Sequence, residues 1–334
     1  AKSKAEGFLA NRGIDVSEFM HAKRFGYERE SKIFLEYHLS AEEAGEILNN
    51  TNGYYWRNRW FKPKHKEEVK VYYSTRGELR TYIHQIPEDA RGESLTQGNA
   101  LNAAQFFLVG TMGIDIQDWE LIESKTEKLK NRWDHEFEWK ERSFNIKESN
   151  HILTVKVQGD QIGYYNERVK LPETWKLKYE KIRSKNNLLE TIGFTGLFIA
   201  VIIIFIMILV RTREKDIHWK TAFTWSGIIA VLLIINIFNN YPLELYSYYT
   251  QDSYVAYLIN IILFQCILLP LLVAISLGIL IAGAEPFYRD QYPHQLSFKH
   301  ILTVQGIKSR SFFNSAIIGI SLTFLTFAFK TIFY

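Results

Sequence analysis

IGFTGLFIAVIIIFIMILV, from Ile192 to Val210, is the stretch that decides the fold. About 20 apolar residues in a helix rising 1.5 Å each cross a hydrocarbon core, and a charge at its centre costs roughly 2.5–3.5 kcal/mol on insertion scales. An uncharged run of this length predicts a membrane-spanning helix. Three more follow, at residues 221–243, 253–284 and 311–329. The third is too long for one straight crossing, and Pro270 in FQCILLPLLVAI removes a helix hydrogen bond near its middle, so a kink or tilt is expected there. Gly278 and Gly283 on the same run allow close approach of a neighbouring helix.

Outward from these runs the chain changes character. Residues 1–186 are dense in charge, with scattered aromatics, and the polar half contains its own pattern. AEGFLANRGIDVSEF (Ala5 to Phe19) recurs as AAQFFLVGTMGIDIQDW (Ala103 to Trp119), which aligns Phe8 with Phe107, Gly13 with Gly113 and Asp15 with Asp115. VKVYYSTRGELRTYIHQIPE (Val69 to Glu88) recurs as VKVQGDQIGYYNERVKLPE (Val155 to Glu173). Two matches in the same order are better explained by duplication than by chance. The expected fold class is therefore an α+β domain of two duplicated helix-plus-antiparallel-strand units, followed by an all-α transmembrane bundle of four helices. The expected boundaries are 1–90 and 91–175 for the repeats, 176–191 for a helical connector and 192–334 for the membrane region.

Alternation supports the strands. In RNRWDHEFEWK, Trp133, His135, Phe137 and Trp139 fall on one face, while Asp134, Glu136 and Glu138 fall on the other, which is expected to face solvent. YYWRNRWF (Tyr54 to Phe61) also reads as a strand, with its aromatics and arginines serving helix–sheet packing. Ser40-Ala-Glu-Glu43 and Ser94-Leu-Thr-Gln97 have the spacing of helix capping boxes.

Orientation follows from lysine and arginine in the short loops. The first loop holds Arg211, Arg213, Lys215 and Lys220, and the third holds Arg289, Lys299, Lys308 and Arg310. The second, NNYPLELYSYYTQDS, has none. Despite five basic residues between Lys176 and Lys185, this bias places the first and third loops in the cytoplasm and the polar half outside it. A net charge of +4 without a block of like charges gives no support for nucleic-acid binding. The single cysteine, Cys266, lies in the third run, so an intrachain disulfide is excluded.

No Gly-rich phosphate loop, nucleophile elbow or HExxH helix occurs, and no catalytic, cofactor-binding or metal-ligating residue is assigned. Asp134, Glu136 and Glu138 could hold a cation from one sheet face, but a solvated carboxylate stripe is the better reading. His135, without a second His or Cys at metal spacing, is read as a partly buried strand residue.

KNRWDHEFEWKER, TVKVQGDQIGYYNERVKLPETW, IPEDARG and, after the third run, GAEPFYRDQYPHQLSFKHILTVQGIKSRSFFNSAIIG together give a chain that resembles the N-terminal portion of large bacterial membrane proteins of the CPBP family, intramembrane metalloproteases related to CAAX prenyl endopeptidases. The repeated units look like PepSY-type modules. The resemblance implies the bacterial inner membrane, a peptide or protein substrate recognised by the outer repeats, and a divalent metal, zinc, in spans beyond Tyr334. The family's Glu-Glu-x-x-x-Arg and paired His helices are absent: Glu42-Glu43, Glu67-Glu68 and Phe61…His65 match only in part and lie in the polar half. The alternative expectation is a membrane-anchored extracytoplasmic binding or sensory module without catalysis, consistent with spans free of Glu and His.

Overall fold

The computed structural model describes residues 1–213, 217–291 and 303–333, so Lys215 and Lys299 of the basic loops lie outside the described residues. The chain divides into two units. One comprises Ala1–Ser184 with Asn239–Ile259, and the other Lys185–Phe238 with Asn260–Tyr334.

The first unit is built on one eight-stranded antiparallel sheet. Helix α1 (Lys2–Asn11) precedes β1 (Met20–Tyr27), α2 (Arg29–His38), α3 (Ala41–Asn50), β2 (Tyr54–Phe61), β3 (Glu68–Ser74) and β4 (Leu79–Gln85). Helix α4 (Gln97–Phe106) precedes β5 (Trp119–Lys128), β6 (Trp133–Glu141), β7 (Asn150–Gln158) and β8 (Gln161–Lys170). The strand order β1-β2-β3-β4-β8-β7-β6-β5 reads 1-2-3-4 from one edge and 5-6-7-8 from the other. β4 and β8 join the two halves over the short register Thr81↔Asn166 to Ile83↔Tyr164.

Alternation explains the sheet's packing. Val69 and Val71 on β3, Tyr82 on β4, Val155 and Val157 on β7 and Tyr165 on β8 form the main core with Phe137 and Trp139 of β6. Helices α1 and α4 cover this face through Leu9 and through Ala5, Ala100 and Ala104, whose small side chains let the helices lie close to the aromatic sheet surface. A second cluster sets Phe34 and Leu35 of α2 and Ala44 and Leu48 of α3 against Val169, Leu171 and Trp175. Gly77 (φ +84°) and Gly159 (φ +66°) turn the β3–β4 and β7–β8 hairpins in the left-handed region, where a side chain is strained.

Ser40 caps α3 as the spacing predicts: its Oγ accepts from Glu43 N at 3.3 Å, and its own N–H donates to Glu43 Oε2 at 3.0 Å. The second box is corrected. α4 begins at Gln97 and its cap is Thr96, whose Oγ1 accepts from Asn99 N at 3.4 Å, while Gln97 donates instead to Ser124 Oγ. Thr96 has the extended backbone that an N-cap needs, and it stands directly before the first helical residue.

The carboxylate stripe of β6 is also corrected. Asp134 and Glu138 are buried, and only Glu136 is half-exposed. Arg132 clamps Asp134 (Nε to Oδ1, 2.9 Å) while donating to the carbonyls of Pro87 and Ala90, and Arg168 with Thr154 covers Glu138 at 2.8 and 3.2 Å. Charge pairing buries the face that alternation alone assigns to solvent.

Beyond the sheet, α5 (Glu173–Arg213) runs without a break from the end of β8 through the first apolar run. α6 (Trp219–Tyr246) carries the second run. α7 (Tyr254–Asn260), a π-helical stretch at Ile261–Leu268 and α8 (Leu269–Gln291) form one continuous third helix. After the short α9 (Val304–Ile307), α10 (Arg310–Phe333) carries the fourth. These four helices are long and apolar enough to cross a membrane. The wide turns of the π stretch come just before Pro270, where the missing N–H and the proline ring disturb the α-helical ladder; Cys266 lies within them. Gly278 faces Phe223 and Ser226 of α6, and Gly283 faces Ile204 and Ile208 of α5, each so closely that a Cβ would sit 2.7 Å from the neighbouring side chain. At the ends of these helices Arg289 donates to His218 Nδ1 at 2.7 Å and lies 3.6 Å from Glu285.

Candidate functional site

Where the two helical clusters meet on the sheet's covered face, a polar group interrupts the apolar layer. β6, β7 and β8 each contribute one residue: Glu141, His151 and Glu167. His151 Nδ1 lies 2.7 Å from Glu141 Oε2, and Nε2 lies 2.9 Å from Glu167 Oε1. The rings of Trp119 and Phe144 flank the imidazole at 5.1 and 5.6 Å between centroids. A histidine with a carboxylate acceptor at each nitrogen must donate from both, so it is an imidazolium. Burial opposes that charge, but the hydrogen bonds and negative charge of Glu141 and Glu167 outweigh it and push the pKa up to about 9. The bond to His151 holds Glu141 below the usual carboxylate range against its partial burial.

Asn52 extends the group toward an opening. It closes α3 with φ +52°, a backbone state that asparagine tolerates better than most residues, and its Nδ2 donates to Glu167 Oε2 at 2.9 Å. Its Oδ1 is buried and has no hydrogen-bond partner among the described residues. An unpaired buried acceptor costs about 1–3 kcal/mol, so its retention calls for an explanation.

That oxygen belongs to a residue lining a cleft of about 480 Å³. Asn50, Asn52 and Glu167 supply polar groups; Phe8, Tyr73, Leu79, Met112, Ile114, Trp119, Leu153 and Tyr165 supply apolar and aromatic surface; and Lys4 and Glu78 contribute one charge of each sign. Lys4 donates to the Gly77 carbonyl, and Glu78 pairs with Arg76 at 2.7 Å. The exposed lining is divided almost evenly between polar and apolar surface, and a cleft with a few convergent polar groups against aromatic walls can seat a small ligand. Glu141 and Glu167 bind opposite ends of one ring and cannot converge on an ion. Among the described residues no group of three or more His, Cys, Asp or Glu is arranged to hold a metal.

The residues singled out from the sequence lie elsewhere. His135 is fully buried and satisfied, with Nδ1 3.0 Å from Thr126 Oγ1 and Nε2 2.9 Å from Leu95 O, as a strand residue rather than a ligand. In YYWRNRWF, Tyr55, Trp60 and Phe61 are core. Arg59 is buried against Glu68 (Nε to Oε2, 2.8 Å) and donates from Nη1 to the carbonyls of Tyr246 and Tyr248, both at 2.7 Å. The segment between the second and third spans is thus fastened to the sheet, where Tyr248 packs on Phe61 and Ala22 and Tyr72 meets Tyr246 through their hydroxyls at 2.8 Å. The sequence signals for Glu141, His151, Glu167 and Asn52 are weak, since the four stand far apart and only the strand register brings them together.

No protein-family model, no curated protein and no solved structure matches the chain.

Proposed function

We propose that this chain is a membrane-anchored binding module whose sheet domain, held outside the cytoplasm, captures a small ligand with a hydrogen-bond donor on an apolar body. The observation that carries the reading is the unpartnered Oδ1 of buried Asn52, a residue that lines a cleft together with Glu167. An ammonium or hydroxyl group satisfies both acceptors, while the aromatic walls take the body of the ligand. A peptide amino terminus has this chemistry.

The two halves of the sheet are read as products of duplication. The mirrored strand order supports this, as do the matching positive-φ glycines Gly13 with Gly113 and Gly77 with Gly159. The symmetry breaks at α2 and α3, which lie between β1 and β2 with no counterpart between β5 and β6. The end of α3 brings in Asn50 and Asn52, so the departure from symmetry supplies the polar side of the cleft. The extracytoplasmic placement is supported by the loop without lysine or arginine, which belongs to the same unit as the sheet. The likeness to intramembrane metalloproteases gives such a module a substrate-presenting role. That role rests on sequence order alone, and catalytic Glu and His spans encoded downstream of Tyr334 would be its support.

Thermal unfolding of the detergent-solubilised full chain with aromatic and aliphatic dipeptides tests the binding reading. Free-amine dipeptides are expected to raise the midpoint, N-acetylated ones to leave it unchanged, and Glu167→Gln to weaken the response. Equal shifts with both peptide forms, or none with either, reject it.

A further inference from the structure

The sheet face opposite the cleft carries two arginines without carboxylates. Arg24 on β1 and Arg57 on β2 are direct cross-strand partners, so their side chains leave the same face. Like charges placed directly opposite are destabilising. On strands β2, β3 and β4 the other cations of this face are neutralised: Arg59 by Glu68, Lys70 by the same carboxylate at 2.5 Å, and Arg80 by Glu28 at 2.8 Å. Among the described residues neither Arg24 nor Arg57 has an acidic partner. Arg24 is exposed. Arg57 is half-buried and donates from Nη2 to Tyr55 Oη at 2.9 Å, while its Nε is buried without a partner. Its guanidinium lies over Gly26, where a Cβ would sit 2.5 Å from Nε, so the flat surface beneath it depends on glycine.

The position of this pair identifies the anion. Arg59 is the next residue along β2 on the same face, about 7 Å away, and it binds the carbonyls of Tyr246 and Tyr248 between the second and third spans. Tyr246 ends α6 and Tyr254 begins α7, so the face carrying the arginines also holds the ends of two spans. The polar headgroup layer adds about 5–7 Å on each side of the hydrocarbon core, which is comparable with that step. We propose that Arg24 and Arg57 form a binding site for the phosphate of an anionic lipid headgroup. Guanidinium groups recognise phosphate through paired N–H donors, and a phosphate between the two side chains would relieve the repulsion across the strands. The site is on the other face of the sheet from the cleft and stands independently of the function proposed above.

The test is titration of the detergent-solubilised full chain with short-chain phosphatidylglycerol or phosphatidylcholine, followed by tryptophan fluorescence, with inorganic phosphate as competitor. The wild type is expected to prefer phosphatidylglycerol, Arg24→Gln to weaken its apparent affinity about fivefold, and Arg24→Gln with Arg57→Gln to abolish the preference. Arg24 is exposed, so its single variant keeps the test valid if the double variant misfolds. Lys125→Gln, on the far edge strand, should retain wild-type preference. Unchanged affinity in Arg24→Gln, an equal loss in Lys125→Gln, or displacement of the lipid by millimolar inorganic phosphate would each overturn the proposal, the last by identifying a soluble anion as the ligand.

Discussion

His151 lies between two carboxylates in the polar seam of the sheet, and its protonation is tied to folding. Its pKa is about 9 in the folded chain against 6.5 for the free side chain. A raised pKa means that the folded state binds the proton more tightly. The stabilisation is therefore complete below about pH 6.5 and disappears as pH rises through 9. At 1.36 kcal/mol per unit, the contribution is on the order of 3 kcal/mol. Thermal midpoints of the full chain between pH 6 and 10 should fall over this window, and His151→Gln should lower the midpoint at pH 6 and flatten the curve. An equally steep curve in that variant would place the titration elsewhere. The sequence could not disclose this group, because Glu141, His151 and Glu167 lie on three strands and their meeting depends on register. The stripe at Asp134 and Glu138 was misread for a related reason. Alternation shows which residues share a face, but the arginines that bury that face, Arg132 and Arg168, come from the preceding turn and another strand.

At the scale of elements, the apolar runs were legible because a span needs little beyond length and the absence of charge. Caps depend on one backbone state at one position, and there the reading slipped by two residues. Thr96→Ala should cost about 1 kcal/mol in chemical denaturation and Ser94→Ala less than about 0.5, since only Thr96 accepts a helix N–H. Equal costs would reject the corrected cap. Edge strands β1 and β5 carried the least signal, because the charged residues of HAKRFGY and ELIESKTEK blur the period of two. Helix packing can be tested between glycines. Gly278→Leu should lower the thermal midpoint of the full chain by several degrees through its clash with Phe223 and Ser226, whereas Gly227→Leu, with open space around it, should be tolerated. Similar effects at both sites would argue against the contact of α6 with α8.

For the whole molecule, the decisive join is between the sheet and the segment linking the second and third spans, and it converges on Arg59. Nε and Nη2 hold Glu68 while Nη1 serves two carbonyls, so one side chain bridges an acid on β3 and two peptide groups some 190 positions along the chain. A lysine has one compact ammonium and cannot reproduce that fork. Arg59→Ala loses the carbonyl bonds and leaves Glu68 with Lys70 alone, at a cost of about 3 kcal/mol, whereas Arg59→Lys can keep Glu68 but not the two carbonyls as well. The readout is protease sensitivity between Tyr246 and Ser253, which should rise in both variants while cleavage at the tip between β7 and β8 stays at its wild-type rate. The same join requires the sheet and this segment to share one side of the membrane. With Cys266→Ala as background, cysteines at Ser143 and Gln251 should both react with an impermeant maleimide from the same side of sealed vesicles, and one at Lys308 should react only after the vesicles are opened. Labelling of Ser143 and Gln251 from opposite sides would break the docking outright. Protection of Ser143 and Gln251 until opening, with Lys308 labelled in the sealed vesicles, would keep the docking and reverse the orientation drawn from the basic loops.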